Sequence, residues 1–300
     1  MGPEMRVAFV TSRNFPLLTA DDHVAVKALA ARDIAVTPAI WDDLNVAWPD
    51  YDALVLRSTW DYHDHLERFI GWLAYLEVNH VQAWNAPHVV KWNADKTYLA
   101  GLVGGPIAVP PTEFVGRKSS VSLAARVKER GWQEVVIKPT VSADGHGVHR
   151  FTRMNLSAGQ DRLDDILETS GAMIQQFIPS VERAGETSLM FFDGAFSHAV
   201  KRLPASREYR VQERFGGQTE PHQPGAALVE RCAALMTMIG FDCLYARVDV
   251  VETPDGPLLM EVELIEPSLY FGSTPGAVDR FADALVRRLA SGDRGEPRRP

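Results

Sequence analysis

Three carboxylates, Asp249, Glu261 and Glu263, stand at strand spacing on either side of one tight turn. The flanking segments 245–251 and 258–263 are β-rich, and Pro254-Asp255-Gly256 between them has turn chemistry, so the stretch predicts a hairpin. If the turn centres near Asp255, Asp249 falls opposite Glu261, and Arg247 falls opposite or diagonal to Glu263. Directly opposed residues have Cβ atoms about 5 Å apart, and like charges at that distance are destabilising. A divalent cation removes the penalty. Mg²⁺ suits such an oxygen-rich site, because it is usually held by one or two carboxylates plus substrate phosphates. The hairpin therefore predicts a nucleotide-bound metal.

The rest of the chain is compatible with that expectation. Three hundred residues allow two or three subdomains with sizeable cores. A net charge of −8 argues against nucleic acid or an anionic membrane as the main partner, and a local basic pocket would still suffice for a nucleotide. No apolar run approaches the length of a membrane span. The start, Met-Gly-Pro-Glu-Met-Arg-Val, lacks signal-peptide design, and Cys232 and Cys243 sit alone in apolar surroundings. Both features predict a cytoplasmic protein with reduced core thiols.

Residues 1–93 alternate strand and helix signals. Strands are expected at Arg6–Thr11, Ile34–Ile40 and Ala53–Arg57, with helices at Asp22–Ala31 and His65–Glu77. Such alternation predicts an open parallel sheet with covering helices, whose ligands bind beyond the strand C-termini. The loops carrying Arg13 and Asn14, and Arg57, Ser58 and Thr59, fit that rule. Arg57 suits a substrate carboxylate because its fork binds bidentately. A helix from Ala94 to about Leu102 and the Pro106–Pro111 segment mark a boundary. A small α+β unit follows over 94–177. A β-rich unit over 178–290 has strands at Glu186–Phe192, Ala195–Lys201 and Tyr209–Glu213, and Asp193-Gly194 makes a hairpin turn. Residues 291–300 read as a solvated tail.

Lys138 ends the apolar strand Val-Val-Ile-Lys and precedes Ser142-Ala-Asp-Gly-His-Gly147. A lysine beside such a loop can neutralise phosphate oxygens while backbone N–H groups cradle them. Gly145 and Gly147 are equally readable as turn residues. The loop is not a Walker A motif, since Gly-Lys-Ser/Thr is absent. Gln175-Gln176-Phe177-Ile178-Pro179 ends a strand in an apolar bend whose free backbone groups can meet an adenine edge. Arg202, Arg210 and Arg247 fall on β-rich runs. Arg247, beside the carboxylates, suits charge stabilisation on a transferring phosphoryl group, and a cross-strand ion pair is the plainer alternative. The nine histidines show no metal-ligand spacing, and no serine or cysteine nucleophile context occurs.

In this order the elements resemble the ATP-grasp superfamily. They are Asp95-Lys96, Val136-Ile137-Lys138-Pro139 with its glycine loop, Ile174 to Pro179, Gly185-Glu186, Arg247-Val248-Asp249 and Glu261-Val262-Glu263. The resemblance covers roughly residues 90 to 290. It implies an α/β and α+β chain in which an N-terminal open parallel-sheet domain precedes two α+β lobes that clasp ATP. It also implies that Lys96 and Lys138 contact phosphates, that the Ser142–Gly147 loop closes over them, and that Gln176, Phe177 and Ile178 meet adenine. Glu182 or Glu186 would bind the ribose. Asp249, Glu261 and Glu263 would hold two Mg²⁺ ions, with Mn²⁺ an alternative, and Arg247 would steady the reacting centre. The Arg202 and Arg210 strands resemble the glutathione synthetase and ribosomal-protein glutamate ligase branch.

The sequence departs from the superfamily pattern at three positions. Glu263 stands where Asn is usual, Ser188 replaces a basic residue common in the glutathione synthetase branch, and Asp144 puts a negative charge in the phosphate loop. The whole chain most resembles the O-ureido-D-serine cyclo-ligases of D-cycloserine biosynthesis, through its length, Arg57-Ser58-Thr59-Trp60-Asp61 and the ending Glu263 to Ser268. The implied activity is ATP-dependent activation of a carboxylate as an acyl phosphate, then attack by nitrogen within the same small amino-acid-like molecule. An intermolecular amide or dipeptide ligase and a nucleotide-binding module without catalysis are the alternatives. Many such enzymes are homo-oligomers, and no surface pattern in the chain addresses that.

Overall fold

The computed structural model describes residues 5–206 and 208–291. The expected tail at 291–300 lies outside them except for Ser291. Among the described residues the chain builds three sheets. The first is parallel, in the order β2 (Ile34–Ile40), β1 (Met5–Thr11), β3 (Ala53–Ser58), β4 (Ala83–Trp84). Helix α1 (Ala20–Ala30) starts at a capping box in which Thr19 and Asp22 bond each other's backbone N–H. Helices α2 (Leu66–Val78) and α3 (Pro87–Asn93) follow. The boundary helix expected from Ala94 is a 3-10 segment, Lys96–Leu102, opened by an Asp95 cap on Thr97.

The second sheet is antiparallel, in the order β5 (Thr112–Val115), β8 (Ala172–Gln176), β6 (Glu134–Pro139), β7 (His149–Thr152), with α4 (Leu123–Arg130) and α5 (Leu156–Thr169) packed on it. A short helix, α6 (Ser180–Ala184), leads to the third sheet. Its order is β11 (Gln218–His222), β10 (Ala195–Leu203), β9 (Glu186–Phe192), β12 (Tyr245–Thr253), β13 (Gly256–Glu263), all antiparallel. Asp193 and Gly194 both take positive φ, 53° and 77°, as the tight β9–β10 turn requires. The strand expected at Tyr209–Glu213 is not formed. Arg210 instead pairs with Glu208 two residues back and stacks 3.6 Å from the Phe215 ring, which folds the segment on itself, and the strand begins only at Gln218.

Packing ties these units together. Helices α7 (Ala226–Ile239) and α8 (Ala277–Ser291) follow β11 and β13. Phe281 and Leu285 of α8 share one buried cluster with Val7, Phe9 and Val55 of the parallel sheet and Met190 and Phe192 of β9. The Pro-rich segment read as a boundary also joins the third sheet, since Leu259 N–H donates to the Ala108 carbonyl at 2.8 Å. Cys232 and Cys243 are buried free thiols. No helix of the described residues is long and apolar enough to cross a membrane.

Candidate active site

A cavity of about 650 Å³ opens where the three sheets meet, within the range of ligand pockets. The loops beyond β1 and β3 supply Asn14, Trp60 and Tyr62; the second sheet supplies Lys138 and the 142–146 loop; the third supplies Glu186, Arg202, Arg247, Asp249, Glu261 and Glu263. The parallel sheet thus faces the cavity with its strand C-termini, as such sheets do.

Asp249 does oppose Glu261, and Arg247 opposes Glu263. The turn itself is one residue too short to achieve this, because Thr253 pairs with Gly256 and Val250 with Leu259. A β-bulge at Met260 shifts the register between Val250 and Asp249. Without it Asp249 would oppose Met260. One oxygen each of Asp249, Glu261 and Glu263 lies within 4.8 Å of the others, a spacing that suits a shared cation.

The set does not demand a metal by proximity alone, because the protein's own cations already meet it. Asp249 accepts from Ser188 at 2.7 Å, Arg202 at 2.7 Å and Arg247 at 3.0 Å. Arg247 also pairs with Glu263. Lys96 Nζ is 2.9 Å from Glu261 and donates at 2.6 Å to the Ser142 carbonyl. Burial opposes ionisation of Asp249, but Arg202 and Arg247 more than offset it and lower its pKa. Burial, reinforced by Glu261 and Asp249, raises Glu263 to about 7 despite Arg247. With both Asp249 oxygens engaged, Glu261 and Glu263 are the carboxylates most open to a cation, and Asp249 could join them only by exchanging a guanidinium.

Lys138 is different. It lines the cavity without an ion pair among the described residues, and burial, with Lys96 nearby, lowers its pKa against the pull of Glu261. Beside it, Gln176, Phe177 and Ile178 line an apolar wall with Val136, Val211 and Met260, a surface suited to a planar base. The loop carrying Ser142 and Gly145 is held from two sides. His146 stacks on His63 of the first unit, with ring centroids 5.4 Å apart, and Asp144 pairs with Arg214 at 3.1 Å. The extra charge of Asp144 is thus met by an arginine. Gly147, at φ 71°, is kept by geometry, since a Cβ there would lie 2.9 Å from Pro139.

Several residues expected at the site are elsewhere. Arg57 is 2% exposed and turned inward, where its Nε donates to Asp22 at 2.8 Å and its guanidinium covers Tyr245 and Phe271. The cap of α1 thus takes the fork that was expected to meet substrate. Ser58 is bonded to Thr11, and Thr59 is fully buried outside the cavity lining. Arg13 pairs with Asp42 on the outside. Glu182 is held by Arg150, which lies over Phe177, so Glu186 is the carboxylate of that pair that reaches the cavity. Arg202, Arg210 and Ser268 line the cavity as expected, although Arg210 does so from a loop. Sequence reasoning missed His63, Arg214 and Glu266, all in the lining. Only their position in a strand-end loop or beside the hairpin could have signalled them.

The family description D-cycloserine synthetase DcsG, N-terminal domain, matches residues 7–85, and Prokaryotic glutathione synthetase, ATP-grasp domain, matches residues 106–269. The cycloserine biosynthesis protein DcsG of Streptomyces lavendulae is 34% identical over 87% of this chain and 91% of its own length. The glutathione synthetase of Prochlorococcus marinus (strain MIT 9313) is 29% identical over 53% of this chain and 49% of its own. Among solved structures, D-cycloserine synthetase DcsG superposes with a TM-score of 0.84 at 29% identity, covering 95% of this chain and 99% of that one. D-alanine–D-alanine ligase from Bacillus anthracis with ATP gives 0.65 at 17% identity, covering 96% and 98%, a likeness of fold.

Proposed function

The chain belongs to the ATP-grasp ligases, in the group that contains DcsG, and on that premise we propose that it cyclises O-ureido-D-serine to D-cycloserine. The observation that carries this reading is the likeness to DcsG across both the N-terminal unit and the ATP-grasp domain.

ATP passes its γ-phosphoryl group to the substrate carboxylate, giving ADP and an acyl phosphate. The nitrogen attached to oxygen then attacks the acyl carbon and phosphate leaves, which closes an isoxazolidinone ring. Water removes the carbamoyl group as CO₂ and ammonia. The protein's task is positioning and charge neutralisation. Lys138 and Lys96 take the phosphates, Lys96 exchanging Glu261 for them. The 142–147 loop covers them, and the Gln176–Ile178 wall takes the adenine. Glu261 and Glu263, with Asp249 behind them, would hold Mg²⁺, which would neutralise negative charge at the reacting centre. Arg247 and Arg202 stand where negative charge grows on the substrate. The need for ATP and the two reduced thiols fit a cytoplasmic setting.

Phosphate release tests the reading. Stimulation by O-ureido-D-serine alone supports it. Stimulation only when a separate amine is also present favours an intermolecular ligase, the reaction class suggested by the glutathione synthetase match. No stimulation by any amino acid, with ATP still bound, leaves a nucleotide-binding module.

A further inference from the structure

We propose that Glu266 is the residue that recognises the α-ammonium group of the substrate, an assignment that rests on the amino-acid substrate proposed above. Glu266 lines the cavity and is 7% exposed. Its backbone is anchored by the Trp60 indole N–H, which donates to its carbonyl at 2.9 Å, and Trp60 is itself packed edge-on against Phe15. The carboxylate, in contrast, has no cation of its own among the described residues. The nearby cations are taken: Lys96 by Glu261, and Arg247 by Asp249 and Glu263.

Of the other acids of the cavity outside the hairpin, Glu213 is exposed to solvent and the rest have partners. Asp61 accepts from the Trp41 indole at 2.8 Å, Asp64 lies 3.0 Å from His63, Asp144 pairs with Arg214 and Glu186 with Arg202. A buried carboxylate without a cation is costly unless one arrives. Burial, with Glu263 close by, accordingly raises Glu266 to about 8. A ligand ammonium is the group that would return it to the charged form.

This pairing also does chemical work. The acyl phosphate carries three nitrogens: the α-amine, the ureido nitrogen attached to oxygen, and the terminal amide nitrogen that later leaves as ammonia. An α-amine held as ammonium has no lone pair to offer, so it cannot attack a second activated molecule. Glu266 would thus leave the ureido nitrogen as the nucleophile, and the ammonium would survive unchanged in the ring product.

The test compares kcat/KM of phosphate release on O-ureido-D-serine and on its des-amino analogue, 3-(ureidooxy)propanoate, for the wild-type protein and Glu266→Gln. The wild type should prefer the amino substrate by at least about 30-fold, the usual loss when one partner of a buried charge pair is removed. Glu266→Gln should lose that preference by losing activity on the amino substrate while keeping it on the analogue. Equal losses on both would overturn the assignment and make Glu266 a support of the metal or the fold. If the wild type responds only with a separate amine, cyclisation fails but this assignment does not. The same ratio is then measured with the amino acid that does stimulate turnover and its des-amino form. If no amino acid stimulates turnover, both readings fall.

Discussion

The Lys96 ammonium stands 2.9 Å from a carboxylate oxygen of Glu261 and binds the Ser142 carbonyl as well. A group suited to phosphate is thus tied to a group suited to metal, and both are tied to the loop that would cover them. Burial opposes the charge on Lys96, but Glu261 more than offsets it, so the lysine pKa is raised. A magnesium nucleotide would give each partner a new counter-charge at once.

Glu261→Gln keeps the size of the side chain and removes its charge. Turnover should fall by at least about 100-fold, as loss of several kcal/mol of charge stabilisation implies. The Tm should stay within a few degrees of wild type. Near-normal phosphate release would remove Glu261 from the metal site.

Lys138→Ala removes the cavity lysine that has no ion partner. The KM for ATP should rise by about 10- to 100-fold, the range for one charge-assisted hydrogen bond. Calorimetry with a non-hydrolysable ATP analogue should give the same factor in Kd, and an unchanged Kd would place the phosphates elsewhere.

Arg57→Met strands the buried Asp22 carboxylate. It should destabilise the fold by about 3–5 kcal/mol, which lowers Tm by roughly 10 °C. The additional change Asp22→Leu should recover part of that loss. The substrate KM of the folded variant should be unchanged; a large rise would return Arg57 to the substrate site.

The metal-free protein should lose stability as pH rises. Glu263 and Glu266 have ordinary values of 4.5 and are raised to about 7 and about 8, so the folded state binds the extra protons. Their contribution is full below about pH 4.5 and is lost progressively up to about pH 8. For Glu263 it is on the order of 3 kcal/mol, at ~1.4 kcal/mol per pKa unit. Magnesium with a non-hydrolysable ATP analogue should flatten the slope in a chemical denaturation series. A slope independent of the ligand would separate Glu263 from the metal.

Much of the chain was legible because the signals were local. The parallel alternation of the first unit, the Asp193-Gly194 turn and the hairpin at Pro254-Asp255 follow from side-chain period and turn chemistry, which act over a few residues. The order of the ligase elements was legible as a resemblance. The failures were tertiary. Tyr209–Glu213 has strand composition, but the Glu208–Arg210 pair and the Phe215 ring hold it as a loop. Arg57 sits at the right strand end, yet a helix cap on another element turns it inward. His63 and His146 meet only because two units close on each other.

The carboxylate hairpin marks the division most sharply. Its residue types alone determined that acids and arginines would share a two-stranded ribbon next to a turn. Whether Asp249 and Glu261 would face the same side was decided by the bulge at Met260, because side chains alternate with period two and one extra residue reverses the face. That choice is made where the ribbon packs between β9 and the Ala108 segment, and where Arg202 arrives from β10 to meet Asp249, contacts that no local pattern encodes.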